Sequence, residues 1–158
     1  MWANDHGDEF PMALSNDKGG SRESALAGNP IPSFLVISNE LNSPKVLLCQ
    51  HDTNRGPRVG LFEGLAARNV SYLIGIGVSE TNAFGILSGD RNIVLADLKQ
   101  RRGLLEISDS NAAQWSNEIH NQQGNIALVD GSARQITQTG LRKALEGTGL
   151  ATNRFAIP

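Results

Sequence analysis

The feature that most constrains the fold is a hairpin signal near the C-terminus, in the stretch "HNQQGNIALVDGSARQ" (120–135). Ile126 and Leu128 alternate with Asn125, Ala127 and Val129, the period of a half-buried strand. Asp130 and Gly131 both tolerate positive φ and read as a two-residue hairpin turn, with "SARQIT" as the returning strand. The last third of the chain is thereby committed to antiparallel pairing.

The rest of the chain is read against that hairpin. "WANDHGDEFPM" reads as a helix end and a turn, with Gly7 as the stop and Pro11 soon after. Residues 15–30 are polar and glycine-rich, a loop with about one helical turn. Ile31, Phe34, Ile37 and Leu41 fall near a helical stripe, Pro32 suits a first turn, and Asn42-Ser43-Pro44 ends the helix. "KVLLC" reads as a buried strand, and residues 50–68 as a long connection. Val70, Tyr72, Ile74, Ile76 and Val78 share one strand face, and Gly75 and Gly77 leave the other open to a neighbouring backbone. "ILSGDRNIVL" (86–95) is a strand broken at Gly89-Asp90, and "LLEIS" (104–108) is another. Thr139 can cap a last helix, "GLRKALEG", which Gly147 stops. "LATNRFAIP" reads as a tail or edge strand. Helices do not alternate regularly with strands, so the class is α+β, and residues 1–158 form a single domain.

Composition narrows the function. Hydrophobic residues make up 39% and charged residues 19%, which excludes a disordered tail. The 17 glycines exceed the usual ~7% and indicate many turns. A net charge of −2 gives no broad attraction to nucleic acid or anionic lipid, and the run Lys99-Gln100-Arg101-Arg102 reads as a solvated loop. No stretch reaches the ~18 apolar residues of a membrane helix. Met1-Trp2-Ala3-Asn4-Asp5 turns polar at once, unlike a signal peptide. Cys49 is the single cysteine and excludes an internal disulfide. It reads as a small core residue at a strand end, with a nucleophile paired to His51 as the alternative.

His120 and Asp130 are the sharpest polar pair, but a catalytic dyad needs a nucleophile, and no serine stands in a nucleophile-elbow pattern. The structural reading has His120 bonding a loop carbonyl and Asp130 fixing the turn with Gly131. Asp90, Arg91 and Asn92 form a polar cluster inside an apolar segment, read as an internal ion pair or turn. Asp5, Asp8 and Glu9 are calcium candidates with incomplete spacing, read as a solvated turn. Trp2 and Trp115 read as packing anchors, Trp115 covering the base of the hairpin.

The order of "WANDHGDEFPM", "SNELNSPKVLLCQHD", "SYLIGIGVSE", "ILSGDRNI" and "HNQQGNIALVDGSARQI" resembles prepilin-like proteins of the type II secretion pseudopilin kind, in particular a group with a C-terminal His-x9-Asp-Gly signature, matched by His120, Asp130 and Gly131. The resemblance spans nearly the whole chain. It implies a pilin-like head, with the end of an N-terminal helix (1–10) packed on a small antiparallel sheet. It implies a non-enzymatic structural subunit of a pseudopilus or pilus-like filament, with other pilin-like subunits and secretion components as partners and no nucleic acid. It also implies a periplasmic location, anchored in the inner membrane by a helix that this chain lacks, and a start at Met1 where that helix was removed. Family members often have Cys-Pro where this chain has Cys49-Gln50. No cofactor is implied beyond calcium in some members, for which this chain shows no matching C-terminal acidic cluster. The competing reading is an extracytoplasmic ligand-binding module or small hydrolase built on His120, Asp130 and Asp90.

Overall fold

The computed structural model describes residues 2–96 and 102–158. Among the described residues, eight strands run in chain order: β1 (Tyr72–Ile76), β2 (Ile86–Asp90), β3 (Ile93–Leu95), β4 (Gly103–Ile107), β5 (Ala113–Trp115), β6 (Gly124–Leu128), β7 (Ala133–Ile136) and β8 (Asn153–Ile157). Six of them form one antiparallel sheet in the order β4-β8-β1-β2-β6-β7, and β3 pairs with β5 in a second sheet. Helices α1 (Arg22–Leu26), α2 (Ile31–Val36) and α3 (Ser38–Leu41) precede the sheet, and α4 (Gln138–Gly147) joins β7 to β8.

Both faces of the large sheet are buried, and successive strand residues divide between them. Leu73, Leu105, Ile107 and Phe155 pack with Trp115, Leu141 and Leu145 under α4 and the small sheet. Ile74, Ile76, Leu104 and Ala156 pack on the opposite side with Met12, Ile31, Phe34 and Leu47. At about 25 cal/mol per Å2 of apolar surface, two such clusters are the main driving force for the fold.

The pilin-like architecture is not what the chain forms. Trp2–His6 is a single 3-10 turn, not the end of a long helix laid on the sheet. Gly7 and Asp8 have left-handed φ of 70° and 61°, which turns the backbone away from any helix. The face a pilin helix would cover is instead packed by scattered short helices and turns. The result is a mixed α+β domain with two antiparallel sheets.

Local expectations were met unevenly. The helix over 31–41 divides at Ile37, which is non-helical at φ −96° and ψ 22°. "KVLLC" is not a strand: Pro44–Leu47 is a 3-10 turn, because Pro44 occupies its first turn and Ser43 accepts the Lys45 N–H. Gly75 has the close backbone neighbour its composition suggested, since a Cβ there would lie 1.9 Å from the Ile86 carbonyl oxygen. The Asp130-Gly131 hairpin exists, but positive φ (82°) falls on Gly131 and not on Asp130. Gly131 N–H closes on the Leu128 carbonyl at 3.0 Å, and Asp130 Oδ1 accepts the Ser132 N–H at 2.8 Å. Thr137, not Thr139, caps α4 by accepting the Gly140 N–H. β8 lies inside the sheet, between β4 and β1, and is no edge strand.

Candidate metal centre

The site grows from one turn. β2 ends at Asp90 and β3 begins at Ile93, so Arg91 and Asn92 must carry the chain from one sheet to the other. All three polar residues of this turn are buried. Each therefore needs a partner, and together they reach the segment around Asp52, the segment from Ser116 to Gln123, and Asn125 at the start of β6.

Arg91 holds the loop that carries Cys49 and His51. Its Nε and Nη2 donate to both carboxylate oxygens of Asp52 at 2.7 Å, and its Nη1 donates to Glu118 at 2.6 Å. Burial pushes the Asp52 carboxyl up, but the Arg91 hydrogen bonds and charge, with help from Ser71 and Arg55, outweigh it and hold the group below the usual carboxylate range. Cys49 is fixed as well, since its N–H donates to Ser71 Oγ at 3.1 Å.

Asn92 holds the loop that carries His120. Its amide nitrogen donates to the carbonyls of Ser116, Ile119 and Gln123 at 3.1, 2.9 and 3.2 Å. Between those anchors His120, Asn121 and Gln122 all take left-handed backbone, with φ of 53°, 57° and 62°. Such a run costs about 1–2 kcal/mol per non-glycine residue. It persists because Asn92 and the buried Ile119 fix both sides.

Asp90 lies beside the imidazole that this loop presents. Its Oδ2 sits 3.5 Å from His120 Nε2 and accepts from the backbone and side-chain nitrogens of Asn125 at 2.7 and 2.9 Å. Burial raises Asp90 above the usual carboxylate range, against the lowering effect of the Asn125 donors and His120.

These loops bring three ligand-type side chains together. The ligand atoms of Cys49, His51 and His120 lie within 4.8 Å of one another. Cys49 Sγ is 3.5 Å from His120 Nε2, and the two imidazole rings are 5.2 Å apart at 51°. A tetrahedral zinc site, with Zn–S near 2.3 Å and Zn–N near 2.0–2.1 Å, separates sulfur and nitrogen ligands by about 3.5 Å. The Cys49–His120 edge already has that length. His51 is exposed, so its ring can swing to close the remaining edges.

A cysteine–histidine–aspartate relay fits less well. Such a relay needs one ring nitrogen on the thiol and the other on the carboxylate. Here Nε2 of His120 faces both Cys49 and Asp90, so the ring does not bridge them.

The other residues singled out in the sequence fall elsewhere. Asp130 lies at the far end of β6 from His120 and faces Ser132 and Arg134, and Gly131 is the hairpin turn. Asp5, Asp8 and Glu9 are exposed and make no ligand group among the described residues. Lys99, Gln100 and Arg101 lie outside the described residues. Trp2 stacks on His6, while Trp115 is buried against Gly124 at the start of β6. Sequence reasoning missed His51 as a ligand and Asp52 and Glu118 as anchors. The Cys49-x-His51 spacing was a legible signal for the first; nothing local marked the others.

No protein-family model, curated protein or solved structure matches this chain. Nothing thus supports the pseudopilin identity. The expectation of an inert His120 in a non-enzymatic structural subunit is corrected by the Cys49/His51/His120 cluster, which is suited to a metal and resembles a catalytic or ligand site more than a filament contact.

Proposed function

We propose that the domain binds a transition metal, zinc above all, through Cys49, His51 and His120, and that this centre is a hydrolase-type ligand site. The observation that supports it is the convergence of one sulfur and two imidazole nitrogens within 4.8 Å. This donor set suits zinc and not calcium, which takes oxygen ligands. Three protein ligands leave a fourth position for water or substrate, and zinc brings the pKa of a bound water to about 7. His120 and Cys49 fix the centre from the protein side, and exposed His51 faces solvent. Asp90 Oδ2 lies on the same Nε2 side of His120 as Cys49 Sγ, each at 3.5 Å from that nitrogen.

The test is a zinc titration against a competing chelator. One zinc per chain is expected. Cys49→Ser, His51→Ala and His120→Ala each weaken binding by about 100-fold or more, while Asp130→Asn leaves it unchanged. Absence of stoichiometric zinc binding, or retention of it in all three ligand variants, overturns the proposal.

A further inference from the structure

An apolar groove shares a wall with the pocket that Cys49 and His51 line. It encloses about 380 Å3 and is lined by Trp2, Phe10, Met12, Phe34, Leu41 and Ile74 among others. That volume falls in the range of about 300–1,000 Å3 for small-ligand sites. Glu40 is the charged residue on its lining. A second, more open pocket is lined by Cys49 and His51 together with Lys45 and Arg58. Val46 and Tyr72 line both, so one wall is common to the two. Lys45 and Arg58 are exposed, and neither has an acidic partner among the described residues.

We infer that the two pockets form one bipartite site for an amphiphilic carboxylate: an aliphatic chain in the groove, and an anionic head among Lys45, Arg58 and the metal ligands. The groove has the chemistry for the chain, because its walls give almost no hydrogen-bond partner. Glu40 places an anionic head at the other pocket and not inside the groove. These two cations, without an acidic partner among the described residues, set the sign of the head, despite a chain that is acidic overall. The placement of the head beside Cys49 and His51 rests on the metal reading; the groove and the two cations do not.

Decanoate, decyltrimethylammonium and decanol are the probes, each kept below its aggregation threshold or solubility limit and titrated by calorimetry. Fluorescence of groove-lining Trp2 is followed in a Trp115→Phe background. Decanoate is expected to bind at least tenfold more tightly than either of the others and to perturb Trp2. The double variant Lys45→Glu/Arg58→Glu should reverse the preference between the two charged probes. Val46→Asp, at an exposed position on the common wall, should weaken decanoate about tenfold without loss of fold. Equal binding of the three probes, or an unchanged preference in the double variant, overturns the inference. The same titration on Cys49→Ser/His51→Ala keeps the two proposals apart: decanoate binding retained there supports the groove whether or not zinc binds, and zinc binding without any decanoate binding to the wild-type chain removes the groove alone.

Discussion

Replacement of Asp52 by alanine tests how the centre is held. The Asp52 side chain is fully buried, and Arg91 beside it is 6% exposed. Two hydrogen bonds of 2.7 Å join them, and Arg55 Nε lies 3.6 Å from the same carboxylate. Removal of one partner from a buried pair costs about 3–5 kcal/mol, mostly because the other charge is left without compensation. Arg91 keeps Glu118 at 2.6 Å, which places the expected loss at the lower end, about 3 kcal/mol. For a chain of this size each kcal/mol shifts Tm by roughly 2–4 °C, so a fall of roughly 6–12 °C is expected. Urea unfolding, followed by circular dichroism, gives the same quantity as a lower midpoint at an unchanged slope. The double variant Asp52→Leu/Arg91→Met removes both charges together and should recover at least half of the loss. Zinc affinity should fall with Asp52→Ala as well, because the loop that carries Cys49 and His51 loses its anchor. A stability within 1 kcal/mol of wild type in Asp52→Ala, or a double variant as unstable as the sum of its parts, would refute the argument that this ion pair locks the site.

Other expectations follow from the same structure. Tyr72 is the single tyrosine, and burial, with the charges of Cys49 and Asp90 behind it, pushes its hydroxyl up to about 12. Absorbance of tyrosinate in the folded protein should therefore titrate near that value, against about 10 in denaturant. Because the folded pKa is the higher one, this group's contribution to stability is full below about pH 10 and is lost as pH rises toward 12; a folded midpoint near 10 contradicts the burial argument. Gly75→Ala drives a Cβ into the Ile86 carbonyl and should cost about 3 kcal/mol or more by thermal unfolding, with disruption of the β1–β2 pair. Gln122→Gly removes a side chain from left-handed backbone at φ 62° and should stabilise the fold by about 0.5–1 kcal/mol in urea; a destabilised variant indicates that this loop is not strained. Cobalt in place of zinc should give a thiolate-to-metal charge-transfer band that Cys49→Ser abolishes.

The sequence pattern disclosed strands where one face of the sheet differs from the other. β6 alternates clearly between buried and half-buried residues, and the hairpin after it announced itself through Asp130-Gly131, while β1 shows in the spacing of Tyr72, Ile74 and Ile76 although both of its faces are buried. Two elements were hidden for opposite reasons. β8 is buried on both faces, with Phe155 in one cluster and Ala156 in the other, so it shows no alternation and passed for a tail. "KVLLC" has the apolar run of a strand, but such short runs do not distinguish strand from helical turn, and Pro44 with Ser43 decided the matter locally. The pilin-like expectation rested on the His-x9-Asp-Gly spacing of His120, Asp130 and Gly131 and on the order of several weaker segments, and Gly7 and Asp8 oppose its central element, the N-terminal helix, within the first ten residues.

The site was legible as fragments and illegible as an assembly. Cys49, His51, His120 and Asp90 stand out on chemistry alone, yet nothing in the sequence joins Cys49 to His120, and the sharpest polar pair it offers is His120 with Asp130, at the two ends of one strand. In the fold, β6 separates those two, while loops 71 residues apart bring Cys49 to His120. What joins them is the turn between β2 and β3. Asp90 faces the imidazole, Arg91 grips Asp52 next to His51, and Asn92 grips the carbonyls on either side of His120. Such a hub leaves only a trace in a sequence, three polar residues interrupting an apolar run. Burial turns that trace into a demand for partners, and the partners are the loops that carry the ligands. The same logic predicts that Asn92→Ala, which touches no ligand atom, weakens zinc binding by about 10–100-fold, as loss of outer-shell support does at metal sites in general, with the secondary structure intact by circular dichroism. Wild-type zinc affinity in a folded Asn92→Ala chain would mean that the His120 loop holds its shape without this turn.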